Sequence, residues 1–117
     1  MIRSDILREI APLIRDHLVI CNIGIPSQEL HAIDDQPGNF YMLGTMGPAS
    51  SIGLGLALAQ PKKVIAIDGD GSVLTNLGTL PTIGNNPGVS TVASTPMPAE
   101  SNVHSARVTA RPPSQQS

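Results

Sequence analysis

The chain predicts an α/β domain built on a parallel sheet, and three observations carry that expectation. Three apolar runs, "LVICNIG" (18–24), "FYMLG" (40–44) and "KKVIAIDGDG" (62–71), are each followed by a stretch with helix-forming character. The runs are too continuously apolar to have a wet face, so helices are expected to cover both sides of the sheet. Each run also carries a glycine at its end, Gly24, Gly44 and Gly69, and ligands of such sheets bind at the carboxyl ends of the strands.

Ahead of the first strand, Ser4 or Asp5 can cap a helix that places Ile6 and Ile10 at helical spacing, and Pro12 is expected to end or interrupt it. After "LVICNIG", the segment "PSQELHAID" has a proline and a serine positioned to open a second helix. "FYMLG" precedes a small-residue helix of about 47–59, and "KKVIAIDGDG" precedes the helix-like "SVLTNLGTL". From about residue 84 the chain turns rich in Ser, Thr, Pro and Asn, lacks Leu and Ile, and shows no sustained period. It therefore divides into a domain at 1–84 and a tail at 85–117, expected to be disordered, with "VSTVA" at most a weak strand. At 117 residues, one domain is the ceiling.

Composition narrows the function. A net charge of −2, 14% charged residues and no Lys/Arg cluster leave no electrostatic footprint for nucleic acid or an anionic membrane. The lone Cys21 rules out an internal disulfide, and "MIRSDILREI" lacks an apolar signal core, so a cytoplasmic protein is expected. The uncharged "LGTMGPASSIGLGLALA" (43–59) falls short of the roughly 18–20 apolar residues that span a bilayer, and Pro48, the serines and four glycines also point to a helix buried in protein.

The densest chemistry lies in "DGDGS" (68–72). Asp70, just past a strand end, could hold a hard cation, while Gly71 and Ser72 could offer backbone N–H groups to a phosphate. A plain glycine turn with Asp68 or Asp70 as a helix cap explains the same five residues equally well. An EF-hand is excluded because no acidic residue stands between Asp70 and Glu100, and neither a Gly-Lys-Ser/Thr phosphate loop nor a dinucleotide glycine pattern is present. Elsewhere, His17, His31 and His104 have no metal-ligand spacing, and Cys21 fits a small buried hydrophobe better than a nucleophile. Asp34 and Asp35 adjoin the turn signal "QPGN", Gly53 and Gly55 suit close helix packing, and Met46 taken alone suits a core.

Taken together, "NIGIPSQEL", "PGNFYMLGTMG" and "DGDGSVLTNLGTL" resemble the diphosphate-binding domain of thiamine diphosphate enzymes. Within that superfamily they look closest to the β subunit of sulfopyruvate decarboxylase and to phosphonopyruvate decarboxylases, over about residues 3–84. The resemblance implies a three-layer thiamine diphosphate-binding fold, incomplete at its C-terminus, with thiamine diphosphate and Mg²⁺ as cofactors. By the same resemblance Asp70 would bind the magnesium, while Gly69, Gly71 and Ser72 would lie along the diphosphate. Gly44 would offer its carbonyl to the aminopyrimidine, with Thr45 beside it, and Met46 would wedge between the two rings. Gly24 matches the first diphosphate-facing loop, and Ser27 is a weak candidate there.

The family pattern is not complete in this chain. The asparagine that finishes the family's magnesium site falls around Pro96–Pro98, where the sequence reads "TPMPAE"; Asn85 and Asn86 come too early, and Pro81 interrupts the expected helix. A frameshift or truncation is the expected origin of the tail. The glutamate that activates the cofactor resides in a different domain in this superfamily, a separate α subunit in the sulfopyruvate enzyme, and Glu9, Glu29 and Glu100 stand in no such motif. The implied activity is decarboxylation of 3-sulfopyruvate or 3-phosphonopyruvate to an aldehyde and CO₂, with an α subunit as partner, no catalytic residue in this chain and no activity alone. A non-catalytic remnant or subunit-interaction piece, and a fragment of an acetolactate synthase-like enzyme, are the alternatives. The short lead before the first helix favours a stand-alone subunit over a piece of a fused enzyme.

Overall fold

The computed structural model describes residues 3–86 in full and the backbone alone of 92–95 and 107–108. Helix α1 (Arg3–Ile14) leads into strand β1 (Leu18–Cys21), followed by α2 (Ile25–Asp34), β2 (Asn39–Tyr41), α3 (Ala49–Ala59) and β3 (Val64–Gly69). Two short helices, α4 (Asp70–Thr75) and α5 (Thr79–Gly84), precede strands β4 (Val92–Thr95) and β5 (Arg107–Val108). The sheet order is β2-β1-β3-β4-β5, parallel except for the antiparallel β4–β5 pair.

Strand alternation divides the core between two layers. Val19, Cys21, Ile65 and Ile67 point to one face and pack with Leu7 and Ile14 of α1 and Leu30 of α2. Ile20 and Val64 point to the other, against Ala49 and Leu56 of α3, while Ala66 packs with Ile83 of α5. This is the three-layer α/β arrangement expected from the apolar runs, and β1 and β3 are buried on both faces as expected. The edge strand β2 departs from that expectation: it does have a wet face, with Phe40 53% exposed. Gly53 belongs to the α3 contact: a Cβ there would stand 3.5 Å from Ala66 Cβ and 3.7 Å from Val64 Cγ1. Gly55 does not, because it is exposed with nothing within 4 Å of its Cβ position, and the close-packing expectation fails for that residue.

Helix α1 runs through Pro12 and ends two residues later at Ile14. The lost N–H bond is outweighed because Ala11 and Ile14, on either side of the proline, are both buried. Beyond β3 the single expected helix is two. Asn76 leaves the helical conformation at φ −142°, ψ 46°, and the chain restarts at Thr79. Pro81 therefore sits in a first turn, where its missing N–H is no loss.

β4 overlaps the weak strand expected at "VSTVA" and lies parallel to β3, with Thr95 opposite Gly69. The rest of the tail reading, including positions 96–98 and His104, lies outside the described residues. Among the described residues no helix is long and apolar enough to cross a membrane, and α3 occupies 11 residues of the uncharged segment.

Candidate functional site

The chain's path across the sheet locates the site. From β1 it steps through α2 to β2 on one side, then returns through α3 to β3 on the other side of β1. Loops leaving adjacent strands in opposite directions open a crevice at their carboxyl ends, where doubly wound sheets bind ligands. In-register pairing of Cys21 with both Tyr41 and Ile67 puts the ends of β1, β2 and β3 at one edge. The residues at or just after those ends are Gly24, then Gly44, Thr45 and Met46, then Gly69, Asp70, Gly71 and Ser72. All eight sequence-predicted positions thus share the carboxyl edge.

Several of these residues leave space. A Cβ on Gly24, Gly44 or Gly71 would meet nothing within 4 Å, and Gly24 and Gly44 take φ of +90° and +80°, a region glycine enters without steric cost. Met46 is 55% exposed, so it is not the core residue its type alone suggests. Asp70 is half-buried, and its Oδ1 accepts a 2.7 Å hydrogen bond from the Gly71 N–H. That bond turns one expected phosphate donor onto the carboxylate beside it.

The floor of the crevice is polar and buried. Ser72 is 2% exposed, and its hydroxyl donates to Asn22 Oδ1 at 3.2 Å, tying the β3 turn to the end of β1. Asn22 in turn donates its backbone N–H to the Ile67 carbonyl at 2.8 Å. Ser27, a weak ligand candidate from sequence, faces inward, its hydroxyl 2.7 Å from the Asn22 carbonyl and 3.3 Å from that of Cys21. Asp68 is fully buried, and its Oδ1 accepts the Gly69 N–H at 3.1 Å. Burial pushes the Asp68 carboxyl above the usual carboxylate range, while the nearby Ser72 hydroxyl and the Gly69 N–H pull it back. The two aspartates of "DGDGS" are therefore distinct: Asp68 is locked beneath the turn and Asp70 stands at its surface.

Sequence reasoning overlooked Asn22 and Asn76. Asn22 was visible as the polar residue that ends the apolar run "LVIC". Asn76 Nδ2 lies 3.0 Å from the Gly47 carbonyl and 2.8 Å from Ser51 Oγ, and no short motif announces it.

Several other titratable residues among those described have structural partners. Arg3 holds Glu29 through two hydrogen bonds of 2.6 and 3.0 Å, chiefly keeping the Glu29 carboxyl below its ordinary range. Arg15, just past α1, pairs with Asp34 at the end of α2, and Asp35 accepts from the Tyr41 hydroxyl of β2 at 2.8 Å and meets His31 of α2 at 3.5 Å, so both aspartates brace neighbouring elements. Burial drives the Cys21 thiol up to about 11, against a smaller opposing effect of Ser27. Because the folded value lies above the ordinary 9.0, this thiol contributes full stability below pH 9.0 and loses it as pH rises toward about 11. Native chain is expected to resist iodoacetamide at pH 8 and to alkylate fully in urea, as mass spectrometry would show. Rapid labelling without denaturant would contradict the buried position.

The donor set suits a magnesium diphosphate. Among the described residues no group of three or more His, Cys, Asp and Glu side chains could cage a metal. Mg²⁺ ordinarily takes only one or two carboxylates from protein and completes its octahedron with phosphate oxygens and water. One surface carboxylate, Asp70, beside Gly71 with open space in front of it, fits that division.

Comparison with known proteins gives the family. Residues 25–93, more than half of the chain, match the family model described as thiamine pyrophosphate enzyme, C-terminal TPP binding domain. The chain belongs to that family. Among its relatives, sulfopyruvate decarboxylase subunit beta of Methanococcus maripaludis is 60% identical over 82 residues, covering 70% of this chain and 44% of that protein. The subunit beta of Methanothermobacter thermautotrophicus is 58% identical over 80 residues, 68% of this chain and 43% of that protein. Phosphonopyruvate decarboxylase of Streptomyces viridochromogenes is 49% identical over 77 residues, 66% of this chain but 19% of its own length. The chain spans less than half the length of the β subunits it matches.

Proposed function

We propose that this chain is the cofactor-binding part of a thiamine diphosphate-dependent 2-oxo acid decarboxylase, acting on 3-sulfopyruvate or 3-phosphonopyruvate together with an α subunit. The observation that supports it best is the shared edge, where "GTMG" and "GDGS" follow the ends of β2 and β3 on either side of β1, with open space in front of Gly44 and Gly71. Asp70 would hold Mg²⁺, and Gly69, Gly71 and the Ser72 backbone would line the diphosphate. Asp70 would hold the cation through the carboxylate that now accepts the Gly71 N–H, and that N–H would be within the same turn to serve a phosphate oxygen if the carboxylate turned to the metal. Ser72 contributes from the backbone only, since its hydroxyl is committed to the floor. Gly44, Thr45 and Met46 would receive the aminopyrimidine, with the exposed thioether of Met46 as the apolar support. When bound, thiamine diphosphate supplies the electron sink that decarboxylation of a 2-oxo acid requires.

An α subunit is the expected source of the missing acid–base group. Leu43, Met46, Leu74 and Leu77 are exposed by 86, 55, 67 and 50%, all on the segments flanking the two motifs, and they offer the apolar surface such a partner would cover. The measurement is CO₂ release from 3-sulfopyruvate and 3-phosphonopyruvate by the full chain mixed with an archaeal α subunit, thiamine diphosphate and Mg²⁺. The chain alone should be silent and the mixture active. Cofactor binding without turnover in the mixture would leave a non-catalytic, subunit-interacting piece as the better description. That alternative draws on the tail, where the sequence after Thr95 reads Pro96-Met97-Pro98 and offers magnesium no side-chain oxygen.

A further inference from the structure

Two segments reach the proposed site from different strands, and one side chain joins them. Asn76, at the C-terminal end of α4, directs Nδ2 to the Gly47 carbonyl and to Ser51 Oγ. A backbone carbonyl can only accept, so the amide nitrogen must be the atom facing Gly47. Ser51 Oγ passes the chain of bonds on to Thr79 Oγ1 at 2.8 Å, anchoring it at the start of α5. Thr75 Oγ1 donates to the Ser72 carbonyl at 2.6 Å, closing the last turn of α4 against the same surface.

Gly47 explains why the two segments come so close. It takes φ +106°, and a Cβ there would collide with Thr75 Oγ1 and stand 3.5 Å from both Asn76 Cβ and the Ser72 carbonyl oxygen. The "GTMG" turn therefore lies directly on α4, whose other end is Asp70. Six helical residues rise only about 9 Å, a short and stiff link between the two turns.

We propose that Asn76 is a positioning residue that fixes the spacing between the Gly44–Met46 turn and the Asp70–Ser72 turn, so that a ligand spanning both finds its two half-sites already in register. This rests on the thiamine diphosphate reading for the identity of that ligand. Pre-set spacing spares a two-ended ligand the cost of ordering the second turn, whereas a ligand filling only the diphosphate end gains nothing from it. The amide is required because both partners take a hydrogen from it, and no hydrocarbon of the same size can supply one.

The test uses the full chain as wild type, Asn76→Leu, which keeps the branched shape and the neutrality but removes the donors, and Gly47→Ala, which attacks the same contact from the other side. Calorimetry gives the Kd of thiamine diphosphate and of inorganic diphosphate, each with Mg²⁺. Hydrogen exchange without ligand follows the amides of 44–52 and of β3. Both variants are expected to weaken thiamine diphosphate roughly tenfold, the loss of one to two hydrogen bonds, while inorganic diphosphate stays within about twofold. Exchange should accelerate in 44–52 and stay unchanged in β3. Equal weakening of both ligands, or unaltered exchange in 44–52, overturns the positioning role. A wild-type chain that binds inorganic diphosphate but not thiamine diphosphate overturns the spanning ligand, and one that binds neither sinks the cofactor reading itself, while the exchange result still decides whether the clasp exists.

Discussion

Asp70→Asn is expected to abolish the Mg²⁺-dependent stabilisation of this chain by thiamine diphosphate. A ligand that binds only the folded state at a hundred times its Kd adds about 2.7 kcal/mol. In a domain of this size that raises Tm on the order of 10 °C. Asparagine preserves the side-chain oxygen that accepts the Gly71 N–H, so the turn retains its local geometry and the unliganded Tm should move little. What disappears is the formal charge that holds a divalent cation against water, and Mg²⁺ does not shed water for a neutral amide as it does for a carboxylate. Differential scanning fluorimetry with and without EDTA separates the effects. Wild type should lose its shift on chelation, and the variant should have none to lose. A variant that retains the full shift would move the metal away from Asp70, and the diphosphate-binding role of the turn would go with it.

The parts of this molecule governed by apolar patterning were legible in the sequence. β1 and β3 announce themselves as continuous aliphatic runs because both faces are buried, and the position of each following glycine places the carboxyl edge. Pro12 and Pro81 were harder. Pro12 lies within a helix because Ala11 and Ile14 are buried beside it, and Pro81 lies in the first turn of a helix whose start depends on the break at Asn76. Local propensity saw each proline but not the packing or the break that accommodates it. Met46 and Asp70 were singled out by short motifs, and the fold brings both to the carboxyl edge. Asn22 and Asn76 were not, since each works through a partner distant in sequence: Asn22 with Ser72 across 50 residues, Asn76 with Gly47 across 29. Such contacts leave no local period, and only the fold brings them together.

The second large effect is expected at Ile67, far from any ligand contact. Its side chain is fully buried in the cluster formed by Leu7, Ile14, Val19, Cys21, Leu30 and Ile65. In register it sits between Cys21 of β1 and Ala93 of β4, in the strand that delivers Asp70 to the edge. Ile67→Ala removes buried methyl groups and leaves a cavity that neighbours from two helices and a strand cannot all collapse to fill. Such truncations cost about 2–5 kcal/mol, against a whole-domain stability of about 5–15 kcal/mol. With a urea dependence of about 1–3 kcal/mol per molar, the unfolding midpoint should fall by about 2 M. Leu13→Ala is the control, because a side chain 74% exposed has little packing to lose and should shift the midpoint negligibly. Saturating thiamine diphosphate and Mg²⁺ should restore part of the Ile67→Ala loss, since the site residues are intact and binding still draws the equilibrium toward the folded chain. An Ile67→Ala chain that unfolds at the wild-type urea concentration would mean that β3 is not packed between these layers, and the shared edge that carries the functional argument would lose its support.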